Sequence, residues 1–185
     1  MLLCFSVNAW GILYKEINIE EMRDDSDIIF AGTVISESDG VVEGRQYVET
    51  TFKVLQWYGA SPQTTVTIRQ LANQNAKQKR QVFPGLPILR KGQHYLMFLP
   101  SKSAYGFASP TGLLTFTLFA KDVEDIKNAK ASVQAIPNRE AKGLFDNIQN
   151  PSIKALVQSK GLSTKVQKKT PIGLDLLEQI IMEKK

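Results

Sequence analysis

The chain carries a single histidine, His94, and the residues around it decide what it can do. A zinc site takes three or four His, Cys or carboxylate ligands. The one cysteine, Cys4, is far away in sequence. A histidine base needs an orienting carboxylate and a nucleophile, and the run His94-Tyr95-Leu96-Met97-Phe98-Leu99 offers neither. His94 is therefore expected to be structural or at the surface. Glu20, Glu21, Asp24, Asp25 and Asp27 form an acidic cluster with calcium-type oxygen ligands. The loop spacing and turn glycine of a calcium loop are missing, so helix capping and solubility are the expected roles. No glycine-rich phosphate loop is present. These residues point to no catalytic centre, no metal and no cofactor.

Two sets of residues suit binding instead. Trp57 and Tyr58 stand together at the end of an alternating run, and aromatic side chains anchor interfaces and sugar platforms. The competing reading has Trp57 closing one end of a barrel. Lys77, Lys79 and Arg80 lie in a polar, glutamine-bearing stretch. With Trp57, Tyr58 and Tyr105 they form a candidate stacking and phosphate surface for a single strand. Charge argues against nucleic acid. Through Ala120 eleven Lys/Arg face ten Asp/Glu, and the surplus behind the net charge of +5 lies mainly beyond that point. Nucleic-acid binding needs a concentrated basic surface.

The elements that must position these residues are mostly short strands. Asn18 followed by Glu20 and Glu21 predicts a short helix over 17–23. Residues 28–35 are apolar on both faces and predict a central strand, with Gly32 marking a bulge or a close backbone approach. Residues 37–45 read as a polar connection with Asp39-Gly40 as the turn signal. Val48, Thr50, Phe52 and Val54 alternate with Tyr47, Glu49, Thr51 and Lys53, the clearest period of two in the chain. A third strand spans 64–71, with Val66 and Ile68 facing one way and Thr65, Thr67 and Arg69 the other. Residues 72–81 predict a loop. Further strands are expected at 94–99, at 105–108 with 113–119, and at 132–136. Residues 150–170 read as a surface linker holding one short helix. A final helix over 171–183 has Leu174, Leu177, Ile180 and Ile181 at helical spacing. The fold class expected is mainly β: a small five- to six-stranded antiparallel OB-like barrel over 10–149, with a short N-terminal helix and a C-terminal helix over 171–185 packed on the barrel.

The first nine residues resemble a shortened export signal. Leu2, Leu3, Cys4, Phe5 and Val7 are apolar, and Val7-Asn8-Ala9 fits signal-peptidase cleavage after Ala9. Cleavage would remove the only cysteine, so no disulfide is expected. No stretch beyond residue 10 is apolar for long enough to span a bilayer. A periplasmic or secreted location is the expectation.

Three segments carry a family resemblance. They are Ile19-Glu20-Glu21-Met22 through Ser26-Asp27-Ile28-Ile29-Phe30-Ala31-Gly32-Thr33-Val34; Pro84-Gly85-Leu86-Pro87 with Lys91-Gly92-Gln93-His94-Tyr95-Leu96-Met97-Phe98-Leu99; and Asn138 to Gly143-Leu144-Phe145. With these the chain resembles a group of bacterial exported proteins of unknown function. Their barrel is similar to that of the tissue inhibitors of metalloproteinases, an OB-type fold. Those inhibitors place an N-terminal cysteine on the protease zinc and staple the barrel with disulfides. Here cleavage would expose Trp10 and leave no cysteine, so that inhibitory chemistry does not carry over. The function expected is a non-catalytic exported module that binds a protein or envelope glycan through loops 37–46 and 72–83. Its candidate contacts are Trp57, Tyr58, Lys77, Lys79, Arg80 and Tyr105. A protease-inhibitor-like protein and a single-stranded nucleic-acid-binding OB domain are the alternatives.

Overall fold

The computed structural model describes residues 17–72, 85–139, 141–162, 165–166 and 170–183. The proposed export signal and Trp10 lie outside these residues, as do Lys77, Lys79 and Arg80. The described elements are α1 (Ile19–Asp24), β1 (Ile28–Val42), β2 (Arg45–Trp57), β3 (Thr65–Leu71), β4 (His94–Leu99), β5 (Phe116–Phe119), α2 (Val123–Lys127), β6 (Gln134–Pro137), β7 (Ala141–Lys142), α3 (Pro151–Ser159), β8 (Lys165–Val166), β9 (Ile172–Gly173) and α4 (Leu174–Met182).

The fold is mainly β and antiparallel, with a short helix at its start and a helix at its end, as the sequence patterns predict. One sheet of seven strands runs β3-β2-β1-β4-β5-β6-β9, and β7 with β8 forms a separate ribbon. Among the described residues β3 does not pair with β9, so the sheet is curled and roughly barrel-like but not closed. One parallel bridge, Arg69 to Phe107, joins the outer edge of β3 to the segment before β5. The sequence places a strand over 105–108; here only this bridge forms.

The central strands bury both faces, which explains their continuous apolar runs. Phe30, Val34, Tyr95, Met97 and Leu99 point into one core with Phe52, Val66 and Ile68. Ile29, Ala31, Leu96 and Phe98 point to the other face, where α1, α2, α3 and α4 cover them. Successive strand side chains point to opposite faces, so one strand supplies both cores. Gly32 sits where the β1–β2 register shifts. A Cβ there would lie 2.9 Å from the Lys53 carbonyl oxygen and 3.0 Å from the Phe30 ring. The bulge and the close approach read from the sequence are both present.

The acidic cluster works locally. Asn18 and Glu21 form a capping box on α1: the Glu21 amide donates to Asn18 Oδ1 at 2.8 Å, and the Asn18 amide donates to Glu21 Oε2 at 3.2 Å. The Glu20 carboxylate accepts from the amides of Gln149 and Asn150, at 2.6 and 3.0 Å, just before α3. Asp27 accepts from the Ser101 amide at 3.0 Å. Arg23 is buried and its guanidinium donates to the Glu183 carbonyl at 3.1 Å, past the last turn of α4. A cation there complements the helix dipole and ties the first helix to the last. No described helix is long and apolar enough to cross a membrane.

The β1–β2 connection differs from the sequence reading. The turn is Glu43-Gly44, both with positive φ (49° and 70°), between the paired residues Val42 and Arg45. That is the two-residue hairpin geometry that matches strand twist. Asp39 and Gly40 lie inside β1, opposite Val48 and Tyr47. Gly40 is small for a side-chain reason, since a Cβ there would meet the Tyr47 ring at 2.3 Å.

Candidate functional site

The alternation of β2 and β3 sends Val48, Phe52, Val66 and Ile68 inward and leaves Tyr47, Glu49 and Arg69 on the outer face. Cross-strand pairing puts Glu49 directly opposite Arg69. The Arg69 Nε–H donates to Glu49 Oε2 at 2.8 Å, and Nη1 donates to the Tyr105 carbonyl at 2.8 Å. Its guanidinium carbon lies 4.7 Å from the centre of the Tyr47 ring. Phe107 meets that ring edge-on, with centroids 5.9 Å apart. Hydrogen bonding to Glu49 raises the Arg69 pKa further above its already high value, so its charge is fixed.

The backbone of Arg69 is held as well. Its amide donates to the Gly106 carbonyl at 3.0 Å and its carbonyl accepts from the Ala108 amide at 3.2 Å. Gly106 has φ 79°, a conformation that glycine adopts without a Cβ penalty. It turns the loop back so that its amide donates to the Ser103 carbonyl at 2.8 Å. One arginine thus fastens a sheet edge to the β4–β5 loop through side chain and main chain together.

These contacts frame an open groove of about 640 Å³. The hairpin tip supplies Glu43 and Arg45, β3 supplies Arg69, and the loop supplies Ser103, Tyr105 and Phe107. The volume falls in the range of small-ligand sites. Tyr105 stands on the rim, 51% exposed. The chemistry available is hydrogen bonding in both directions beside aromatic faces.

The sequence-derived candidates separate. Tyr105 lines the groove. Trp57 is partly buried and stacks on Phe30 with centroids 6.4 Å apart. Tyr58 is buried beneath the helical layer. Trp57 lies eight residues along β2 from Glu49, roughly 25 Å away at the strand rise, and it does not line the groove that Tyr105 lines. Glu43 and Arg45 lie in the expected contact loop 37–46 without being singled out there, and Arg69 and Phe107 are not among the expected contacts. The outward side of the β2–β3 alternation marks Arg69 and Tyr47, but nothing local marks the loop that meets them.

Among the described residues, the buried Tyr58 hydroxyl has no hydrogen-bond partner. Burial, and then the Glu178 carboxylate, push its pKa well above the ordinary phenol range. An unsatisfied buried hydroxyl costs about 1–3 kcal/mol. Tyr58→Phe removes it and orphans nothing. We expect a gain of about 1 kcal/mol in urea unfolding, with ligand binding unchanged. A loss of stability would mean that the hydroxyl has a partner.

His94 opens β4 opposite Thr33, with Nδ1 2.7 Å from Thr33 Oγ1. Partial burial lowers its pKa below the usual histidine value. The unfolded chain therefore binds the proton more readily, and the stability His94 confers is present above about pH 6.5 and declines as the pH falls below it. His94→Gln is expected to flatten the pH–stability profile on the acid side of pH 6.5. An unchanged slope would assign it to other groups.

No family model, curated protein or solved structure matches the chain.

Proposed function

We propose that this chain is an exported, non-catalytic binding module whose surface is the groove between the β1–β2 hairpin tip and the β4–β5 loop. The observation that carries the reading is Arg69, locked by Glu49, the Tyr105 carbonyl and the Tyr47 ring. Groups held in place before a ligand arrives lower the entropic cost of binding. The sheet supports an OB-like reading, because OB barrels bind over strands two and three between the connections 1–2 and 4–5. The groove stands between the corresponding segments here. The hairpin half of the expected loop pair, 37–46, supplies Glu43 and Arg45; residues 73–83 of the other half lie outside the described residues. Export rests on the apolar start of the chain and Val7-Asn8-Ala9.

The partner on this reading is a protein or a cell-envelope glycan. Glycan is tested by co-sedimentation of the purified protein with insoluble peptidoglycan sacculi. Wild type is expected in the pellet, and Arg45→Ala/Tyr105→Ala in the supernatant with an unchanged melting temperature. Both in the pellet would move the surface elsewhere. Both in the supernatant would remove sacculi as the partner.

A further inference from the structure

We infer that the groove takes an uncharged oligosaccharide, an assignment that rests on the binding-module reading and narrows it. The argument turns on which hydrogen-bonding groups share the groove. An anionic ligand such as a nucleic acid strand or an acidic peptide is recognised by donors and positive charge. Arg45 and Arg69 would serve it, but Glu43 faces the same space and Glu49 already neutralises Arg69 at 2.8 Å. Sugar hydroxyls each donate and accept, so a saccharide site draws on acceptors and donors side by side, which a carboxylate next to a guanidinium supplies. Glu43, in the hairpin turn, and Arg45, just after it, offer that pair. Ser103 adds a hydroxyl that acts in both senses.

The apolar lining fits the same ligand. Tyr105 and Phe107 line the groove, and the apolar C–H face of a pyranose packs on aromatic rings. Tyr47 packs edge-on against Phe107 and has its face taken by Arg69, which braces that part of the wall. Opposite charges in near balance also remove the electrostatic drive that a polyanion requires. Glu43 is the residue that separates the two ligand classes, because replacing its carboxylate by a cation reverses the preference.

Calorimetric titration of the whole protein tests this. The probes are tetrasaccharides of β-1,4-linked glucose, β-1,4-linked N-acetylglucosamine and α-1,4-linked glucose, with a ten-residue oligothymidylate and a hexaglutamate peptide as anions. At least one tetrasaccharide is expected to bind, with an affinity that holds within a factor of about two between about 50 and 500 mM salt. Tyr105→Ala is expected to weaken that binding at least tenfold. Glu43→Lys is expected to weaken the sugar at least tenfold and to strengthen oligothymidylate. Both variants should melt with wild type, since both side chains are exposed. No sugar binding, or sugar binding indifferent to Glu43→Lys, overturns the inference. Salt-sensitive binding of the oligonucleotide or peptide alone, lost in Arg45→Ala, overturns the saccharide and leaves the binding module standing. No probe bound, together with no sedimentation on sacculi, removes the glycan arm of both readings.

Discussion

Phe52→Ala is expected to cost about 3–5 kcal/mol, a large part of the total stability of an ordinary domain. Phe52 is fully buried at the centre of the sheet's inner core. It meets Phe30 edge-on at 5.2 Å and Tyr95 at 6.4 Å. Removing the ring takes away those contacts and leaves a cavity between three strands that can collapse only in part. Urea unfolding of the variant reads the effect. A loss under 1 kcal/mol would show that the core does not sit where the strand register puts it.

Gly32→Val is expected to be nearly as severe, at about 2–4 kcal/mol by the cost of overpacking with backbone movement. The clash is with the Lys53 carbonyl oxygen at 2.9 Å as well as with Phe30. A side-chain obstacle can rotate away, whereas a backbone oxygen in a paired strand cannot move without breaking the ladder. Gly32→Ala should show the smaller part of the same loss, because its one methyl already meets that oxygen. A lowered midpoint for both, ordered Val below Ala, confirms the bulge. Equal stability of Gly32→Val and wild type would contradict the register shift at Ala31 and Gly32.

Local patterns carried far in this chain because its core strands obey them strictly. Alternation over 48–54 named the inward residues of β2, and the doubly apolar runs at 28–35 and 94–99 named the two strands that face both cores. Asn18 with Glu21 named the cap of α1. Asn150-Pro151 starts α3 within the stretch read as a linker with one short helix, and the Asn150 side chain caps it. The Asp39-Gly40 signal misplaced the hairpin turn. Its glycine serves the Tyr47 ring across the strand, a demand that appears only once the strands are paired. Pro171 precedes the two-residue strand β9 rather than heading α4, because β6 pairs with that strand first.

The groove was less legible for a related reason. Arg69 is visible in the sequence as an outward polar residue and Tyr105 as an aromatic in a loop. Their meeting depends on a bridge between segments 38 residues apart in sequence, which no local period encodes. The Trp57-Tyr58 pair looked more prominent, yet adjacent strand residues face opposite sides. Here one side holds Phe30 and the other the helical layer.

The central claim, that binding occurs in the groove framed by Arg69, is tested most directly by a ¹H–¹⁵N shift map of the protein titrated with muramidase-released envelope glycan. Shifts confined to residues 42–45, 69–71 and 103–109, with the Trp57 indole N–H unmoved, are the predicted result. Shifts centred on residues 57–59, with residues 42–45, 69–71 and 103–109 unmoved, would contradict the account.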